Sequence, residues 1–289
     1  NLTGLNYLTG LQTLDLQLCL GNITSIAPIA TLVSLKELTF LPDSSSNIQL
    51  NDLSPLQNLT QLQTLIMDNC GISDITPLQN LNALEAVLLN HNQISSISAL
   101  QNKNNLLDLY LDDNQISNIS SLQNLSLLTI LSLNDNQVSS LPVLQNSNLT
   151  NLQLDNNNLT SLSGLQNLTS LEFLTVNNNQ LSNISNIQNL TSLKDIQMTS
   201  NTISSISSLQ NLTNLEQLDL ENNLITNITP LQNMNILWNL RIASNQLTSI
   251  ATIINKLPAL TQFSVISGNN IPGTEINSFQ ATHPTCNVY

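Results

Sequence analysis

The residues able to do chemistry are few and poorly placed for it. His91 and His283 are the only histidines, and they lie far apart in the chain. Neither has a serine, cysteine or aspartate set with it in a recognisable triad. Metal spacings such as HExxH or CxxC are absent, and so is a glycine-rich phosphate loop. Cys19, Cys70 and Cys286 cannot all pair with one another, so the chain is no disulfide scaffold and its redox compartment stays open. No enzyme activity, cofactor or metal is expected.

Carboxylates are the plentiful ionisable class. There are 18 Asp and Glu against 5 Lys and Arg, a formal charge of −13. That balance argues against nucleic acid and anionic membrane surfaces, and it would steer a basic partner toward the chain. Asp68, Asn90, Asp112, Asn134 and Asp155 share one column of the repeat described next, with Asp113 and Asp135 beside it. Hard cations take several oxygens of this kind, yet no loop has calcium-binding spacing. The column reads as a solvated acidic rim. On an open strand lattice such aspartates are expected to find no cleft that shifts their pKa values.

What positions these side chains is an internal repeat. The stretch LDLYLDD (107–113) has counterparts LSLND, LQLDN, LTVNN and LDLEN along the chain. The pattern L-x-x-L-x-L-x-x-N opens at Leu11, then at Leu35, Leu62, Leu84, Leu106, Leu128, Leu149, Leu171, Leu193, Leu215, Leu237 and Leu260, and seven of the eleven intervals are 22 residues. That makes twelve coils. The alternating LxL predicts a short strand with leucines inward and the residues between them outward. An Asn slot follows: Asn92, Asn114, Asn136, Asn157, Asn179, Asn201, Asn223 and Asn245, with Cys19, Asp43, Cys70 and Gly268 holding it elsewhere. A buried amide has the donors and acceptor to satisfy backbone groups of its own and neighbouring coils. Cys19 and Cys70 read as buried structural thiols.

Each coil then rises through Ile-x-x-Ile/Leu and returns, as in NQISNISSLQNLSLL (114–128). Pro28, Pro55, Pro77 and Pro230 sit at that return, where proline starts a helical turn without losing a needed donor. A coil this short has no room for a long outer helix, which predicts 3₁₀ turns or extended chain.

These words resemble leucine-rich repeats of the short 22-residue class, as in bacterial internalins and a nuclear protein-phosphatase regulator. The resemblance covers essentially the whole chain. It implies an α/β solenoid of about twelve coils, a curved horseshoe with a parallel β-sheet on the concave face and 3₁₀ or extended segments on the convex face. Residues 1–268 form the solenoid on this reading and 269–289 a C-terminal capping segment. Residues 1–10 supply only the outer half of a preceding coil, so an N-terminal cap is expected to be missing, and the start at Asn1 reads as a mature product or an excised part. Thr274 is expected to N-cap a short helix whose Ile276 and Phe279 face inward, with Cys286 packed in the cap.

The outward strand positions are the residues free to act. The middle one is polar in most coils, but Ile66, Leu88 and Tyr110 break the rule on three successive rungs. Ile130 and Phe173, one slot earlier, and Leu41, one slot later, extend the apolar exposure. Such a strip is either a partner-binding surface with tyrosine as anchor or side chains packing over each other across the sheet. Asp68, Asp108, Asp112 and Asp113 border it. Trp238, beside Arg241, is a second anchor or packs on a neighbouring loop. The insertion in PDSSSNIQLND (42–52) is a contact loop or slack.

The leading expectation is a non-catalytic, secreted or cell-surface recognition and adhesion module that binds a protein on its concave face. The alternative is an architectural repeat segment of a larger surface protein or extracellular filament, self-associating through its N-terminal edge. A cytosolic adaptor is disfavoured: only 8% of residues are charged, and neutral amides and hydroxyls supply solubility. No apolar run is long enough for membrane insertion. Sequons such as Asn58, Asn124, Asn167, Asn189 and Asn211, mostly products of the word LQNLT, would accept N-glycans in a eukaryotic secretory pathway.

Overall fold

The computed structural model describes residues 2–17, 23–42 and 49–289. Cys19, Asp43 and most of the 42–52 insertion lie outside them. The chain divides into two compact units, one of residues 1–138 with 145–149, the other of 139–144 with 150–289.

In the first unit the described strands are β1 (Thr13–Asp15), β2 (Glu37–Thr39), β3 (Thr64–Ile66), β4 (Ala86–Leu88), β5 (Asp108–Tyr110) and β6 (Ile130–Ser132). The second holds β7 (Asn151–Gln153), β8 (Phe173–Thr175), β9 (Asp195–Gln197), β10 (Gln217–Asp219), β11 (Asn239–Arg241), β12 (Gln262–Ser264) and β13 (Asn287–Val288). Within each unit the strands pair in chain order, all parallel. The central residue of each three-residue strand is buried, as with Leu65, Val87, Leu109 and Leu131, and so is the second leucine of LxL, as with Leu89 and Leu111. This is the leucine-rich repeat solenoid. Strands so short are stable only because each backbone pairs with the coils on either side while its leucines fill a common core.

Most outer returns are 3₁₀ turns, with Pro28, Pro55, Pro77 and Pro230 at their second positions, within the first turn, where no backbone donor is needed. An Asx turn introduces several of them: the Ser54 and Thr76 N–H groups donate to Asp52 and Asp74 Oδ1 at 2.8 Å, and the Ser120 N–H donates to Asn118 at 2.9 Å. The Leu53, Ile75 or Ile119 between acid or amide and hydroxyl buries itself, which explains the recurring N/D-I/L-S/T word.

The Asn slot does what its chemistry predicts. Asn114 Nδ2 donates to Leu89 O and Leu111 O at 3.0 Å, and its Oδ1 accepts the Ile94 N–H at 2.9 Å. One buried amide thus ties two coils together. In coil twelve the expectation of Gly268 in this slot is wrong. Asn269 Nδ2 donates to Ile242 O and Val265 O, and its Oδ1 accepts the Leu247 N–H. An extra residue after the strand shifts the register by one. Gly268, at φ +68°, takes the left-handed position that Ser244 (φ 54°) holds just before Asn245.

Helix α1 (Gly273–Thr282) follows, and here a second expectation fails. Pro272 is the N-cap and Thr274 lies inside the helix. The first turn is anchored by Glu275, whose carboxylate accepts the Ile250 N–H at 2.6 Å. Phe279 is fully buried, 5.0 Å from Phe263 and stacked 4.1 Å from His283, while Ile276 is only half-buried. Cys286 is a buried free thiol. Among the described residues no helix is long and apolar enough to cross a membrane.

Candidate protein-interaction face

Parallel register sets Ile66 opposite Leu88 and Leu88 opposite Tyr110. All three are half-buried, so each neighbour covers part of the next and leaves the rest to solvent. The strip ends at Ser132, opposite Tyr110 and fully buried. Ile130 stands opposite Asp108 on the same pair of strands and is also half-buried. Burial pushes the Tyr110 phenol up, and the nearby Asp108 and Asp112 add to the shift.

The rim column is not a simply solvated row of charges. Asp68 Oδ1 accepts the Asn90 N–H at 2.7 Å, Asn90 Oδ1 accepts the Asp112 N–H at 2.8 Å, and Asp112 Oδ1 accepts the Asn134 N–H at 2.7 Å. Within the second unit Asp155 Oδ1 accepts the Asn177 N–H and Asn177 Oδ1 accepts the Thr199 N–H, both at 2.7 Å. Each side chain caps the next coil's backbone just past the strand. Desolvation follows, and it corrects the expectation of unshifted acids. Burial raises Asp68, against the pull of its Asn90 bonds, and it raises Asp195 and Asp219 as well.

Asp113 and Asp135 have a different reason for being acidic. With φ of 52° and 54° they sit in the left-handed region, in the same column as Asn69, His91, Asn156, Asn178, Ser200, Asn222 and Ser244. Short polar side chains tolerate that backbone best after glycine. His91 Nδ1 lies 3.0 Å from Asp113 Oδ2, both largely exposed. Asp108 Oδ1 accepts the Thr129 hydroxyl at 3.1 Å.

In the second unit Phe173 is 40% and Trp238 38% exposed. Arg241 bonds Glu221 at 2.7 Å and Asp219 at 3.4 Å, and the Ser264 hydroxyl donates to Glu221 at 2.5 Å. Burial would lift Glu221, but the Arg241 and Ser264 bonds overcome it and hold the carboxyl below its ordinary value. Lys194 pairs with Glu172 at 2.7 Å.

Lys103 escaped the sequence reading. It stands where Leu81 and Leu125 stand in the flanking coils, and it is as buried as they are. Its Nζ donates to Gln79 O at 2.5 Å and Asn82 Oδ1 at 3.2 Å. Desolvation lowers its pKa. The signal was present: LQNKNN puts lysine in the leucine place of LQNL.

Among the described residues no three His, Cys, Asp or Glu side chains are placed to hold a metal ion. The surface offers hydrogen-bonding oxygens, an acidic border and one apolar strip, which suits association with a polypeptide.

A family profile described as Leucine Rich repeats (2 copies) matches residues 191–233. No curated protein sequence matches the chain. Among solved structures, the internalin inlF from Listeria monocytogenes aligns over 98% of this chain and 81% of its own, with 29% identity and a TM-score of 0.90. Internalin C2 from the same organism aligns over 68% of this chain and 83% of its own, with 32% identity and a TM-score of 0.59. A chain of an octameric complex of Latrophilin 3, Unc5D and the FLRT2 leucine-rich repeats aligns over 89% and 84%, with 27% identity and a TM-score of 0.73.

Proposed function

The chain belongs to the internalin-like leucine-rich repeat proteins, a non-catalytic interaction scaffold, and from that premise we propose that it binds a protein partner on its strand face. The observation that carries this is the register of Ile66, Leu88 and Tyr110 on three adjacent strands. Polar side chains dominate the same column elsewhere, so an apolar strip here is a local choice rather than a demand of the fold. Ile130 extends it on one side, and Asp68, Asp108, Asp112 and Asp113 border it. In the second unit Phe173 on β8, and Trp238 with Arg241 at β11, are further candidate contacts. The FLRT2 repeats, which assemble with other proteins, support a recognition role for this repeat type. A low content of charged side chains and the internalin likeness support a secreted or cell-surface setting.

A photo-crosslinking residue at position 110 tests the reading against one at Asn124, exposed on an outer return. A surface protein of the source cell should crosslink at position 110 and not at 124, and Leu88→Asp should abolish the product while leaving the circular dichroism unchanged. Crosslinking from both positions alike, or unaltered by Leu88→Asp, would remove the strand face as the site.

A further inference from the structure

We infer that the partner presents a cation, an arginine or lysine beside apolar side chains, and that β5 receives it, with Asp108 and Asp112 taking the charge and Tyr110 the stem. The inference rests on the strand-face reading above and gives that face a ligand chemistry.

Strand alternation puts residues 108, 110 and 112 on one side of the backbone, at steps of about 6.5 Å. An aromatic ring therefore stands between two carboxylates, an arrangement that attracts a guanidinium or ammonium through both the ring face and the acids. Hydrogen bonding leaves room for it. Asp108 uses Oδ1 for Thr129, and Asp112 uses Oδ1 for both the Asn134 N–H and the Ser132 hydroxyl, the latter at 2.6 Å. Among the described residues, Oδ2 of each acid and the Tyr110 hydroxyl take no hydrogen bond.

In the second unit some strand-face acids meet a cation of this chain, although among the described residues Asp195 on β9 has only the Gln197 and Gln217 amides. There Lys194 answers Glu172, and Arg241 answers Asp219 and Glu221. In the first, Lys36 and Lys103 are the only Lys or Arg, and Lys103 is buried among the outer returns. Among the described residues, no cation of the first unit pairs with Asp108 or Asp112. The complementary charge is missing from this chain at the one place where acids flank an apolar strip. Ile66 and Leu88, on the two rungs before Tyr110, favour apolar side chains next to that charge.

A random peptide display library panned on the intact chain tests this directly, with a neutral Leu88→Ser, Tyr110→Ser variant as the binding control. Recovered peptides should carry Arg or Lys beside Leu, Ile or Val. Their affinity, read by fluorescence polarisation, should fall about tenfold on Asp108→Asn, and similarly when arginine is replaced by citrulline. Asparagine is the right exchange at Asp112 too, because Asn90 performs the same backbone capping one coil earlier. Recovered peptides that are neutral or acidic, or that bind Asp108→Asn and accept citrulline without loss, would overturn the cation while leaving the strand face standing. Peptides that bind the Leu88→Ser, Tyr110→Ser variant as tightly as the parent would overturn both.

Discussion

Asp112 and Asn90 perform the same task on successive coils: Asn90 Oδ1 accepts the Asp112 N–H at 2.8 Å, and Asp112 Oδ1 accepts the Asn134 N–H at 2.7 Å. The bond needs an oxygen, not a charge. Asp112→Asn should therefore change the unfolding free energy by less than about 0.5 kcal/mol, whereas Asp112→Ala should cost about 1–2 kcal/mol by leaving a part-buried N–H unpaired. Urea titration of the two variants checks this. An alanine as well tolerated as asparagine would mean that the rim ladder adds nothing to stability.

Lys103 is a core position where the repeat is overruled by a charge; Asn146, buried in the same slot two coils on, overrules it with an amide. Its ammonium is fully buried and bonded to a backbone carbonyl and an amide, with no carboxylate among its bonding partners. Burial costs a charge more than two such bonds return. Lys103→Leu, which restores the residue of the flanking coils, should stabilise the fold by about 1–2 kcal/mol. The lowered lysine pKa gives a second check. A base whose folded pKa is depressed destabilises while protonated, so the gain from Lys103→Leu should shrink as pH rises through the folded pKa toward 10.5. A constant gain across that range would contradict the assignment.

The acids set an opposite trend at low pH. Asp68, Asp195 and Asp219 have folded pKa values above the model-compound value of 3.8, each chiefly through burial. A raised carboxyl favours the folded state while protonated, and that contribution is lost as pH rises through the folded pKa. Asp52 and Asp74, lowered by their bonds to Ser54 and Thr76, and Glu221, held down by Arg241, act in the reverse sense and lose their contribution only below about their ordinary values. A net charge of −13 adds self-repulsion that eases as carboxylates protonate. The melting temperature should therefore rise as pH falls from 7.5 toward 3.8, and Asp195→Asn should reduce that rise. A melting temperature that falls steadily from pH 7.5 to 4, or a rise that Asp195→Asn leaves intact, would refute the account.

The coil was legible because three constraints coincide on the same letters. Leu109 and Leu111 had to be apolar to fill the core, Asn114 had to be an amide to cap two coils, and Pro55 fits only where a helical turn begins. Gly268 misled because one added residue after Val265 moves the capping amide to Asn269, and a slot counted from the strand cannot register that slip. The rim acids were misjudged for a related reason. Their column was evident, but the bond from Asp68 to the Asn90 N–H runs between residues 22 apart and depends on how closely successive coils stack. Asp113 likewise shows a carboxylate only in sequence, while its φ of 52° shows why a short polar side chain stands there. The choice of Ile66, Leu88 and Tyr110 was visible from the first, since register follows directly from a 22-residue period.

Gly164 offers the sharpest test of packing between outer returns. The interval from Leu128 to Leu149 is one residue short of the usual 22, and the return at Pro142 is extended rather than a 3₁₀ turn. The Leu144 N–H donates to Gly164 O at 3.0 Å, a bond to the following coil in place of a local one. This draws the two backbones so close that a Cβ on Gly164 would collide with Pro142 O and Leu141 Cβ. The equivalent residue three intervals later in the repeat, Pro230, and the nearer Ser208 show that the position itself accepts side chains. Gly164→Ala should thus cost about 2–4 kcal/mol, because backbone rather than a flexible side chain must move. Ser208→Ala is the control: the Ser208 hydroxyl is buried without a hydrogen-bond partner, so its removal should be neutral or slightly stabilising. Equal stability of the two alanine variants in urea would show that the return at Pro142 relaxes freely and that glycine is not required there.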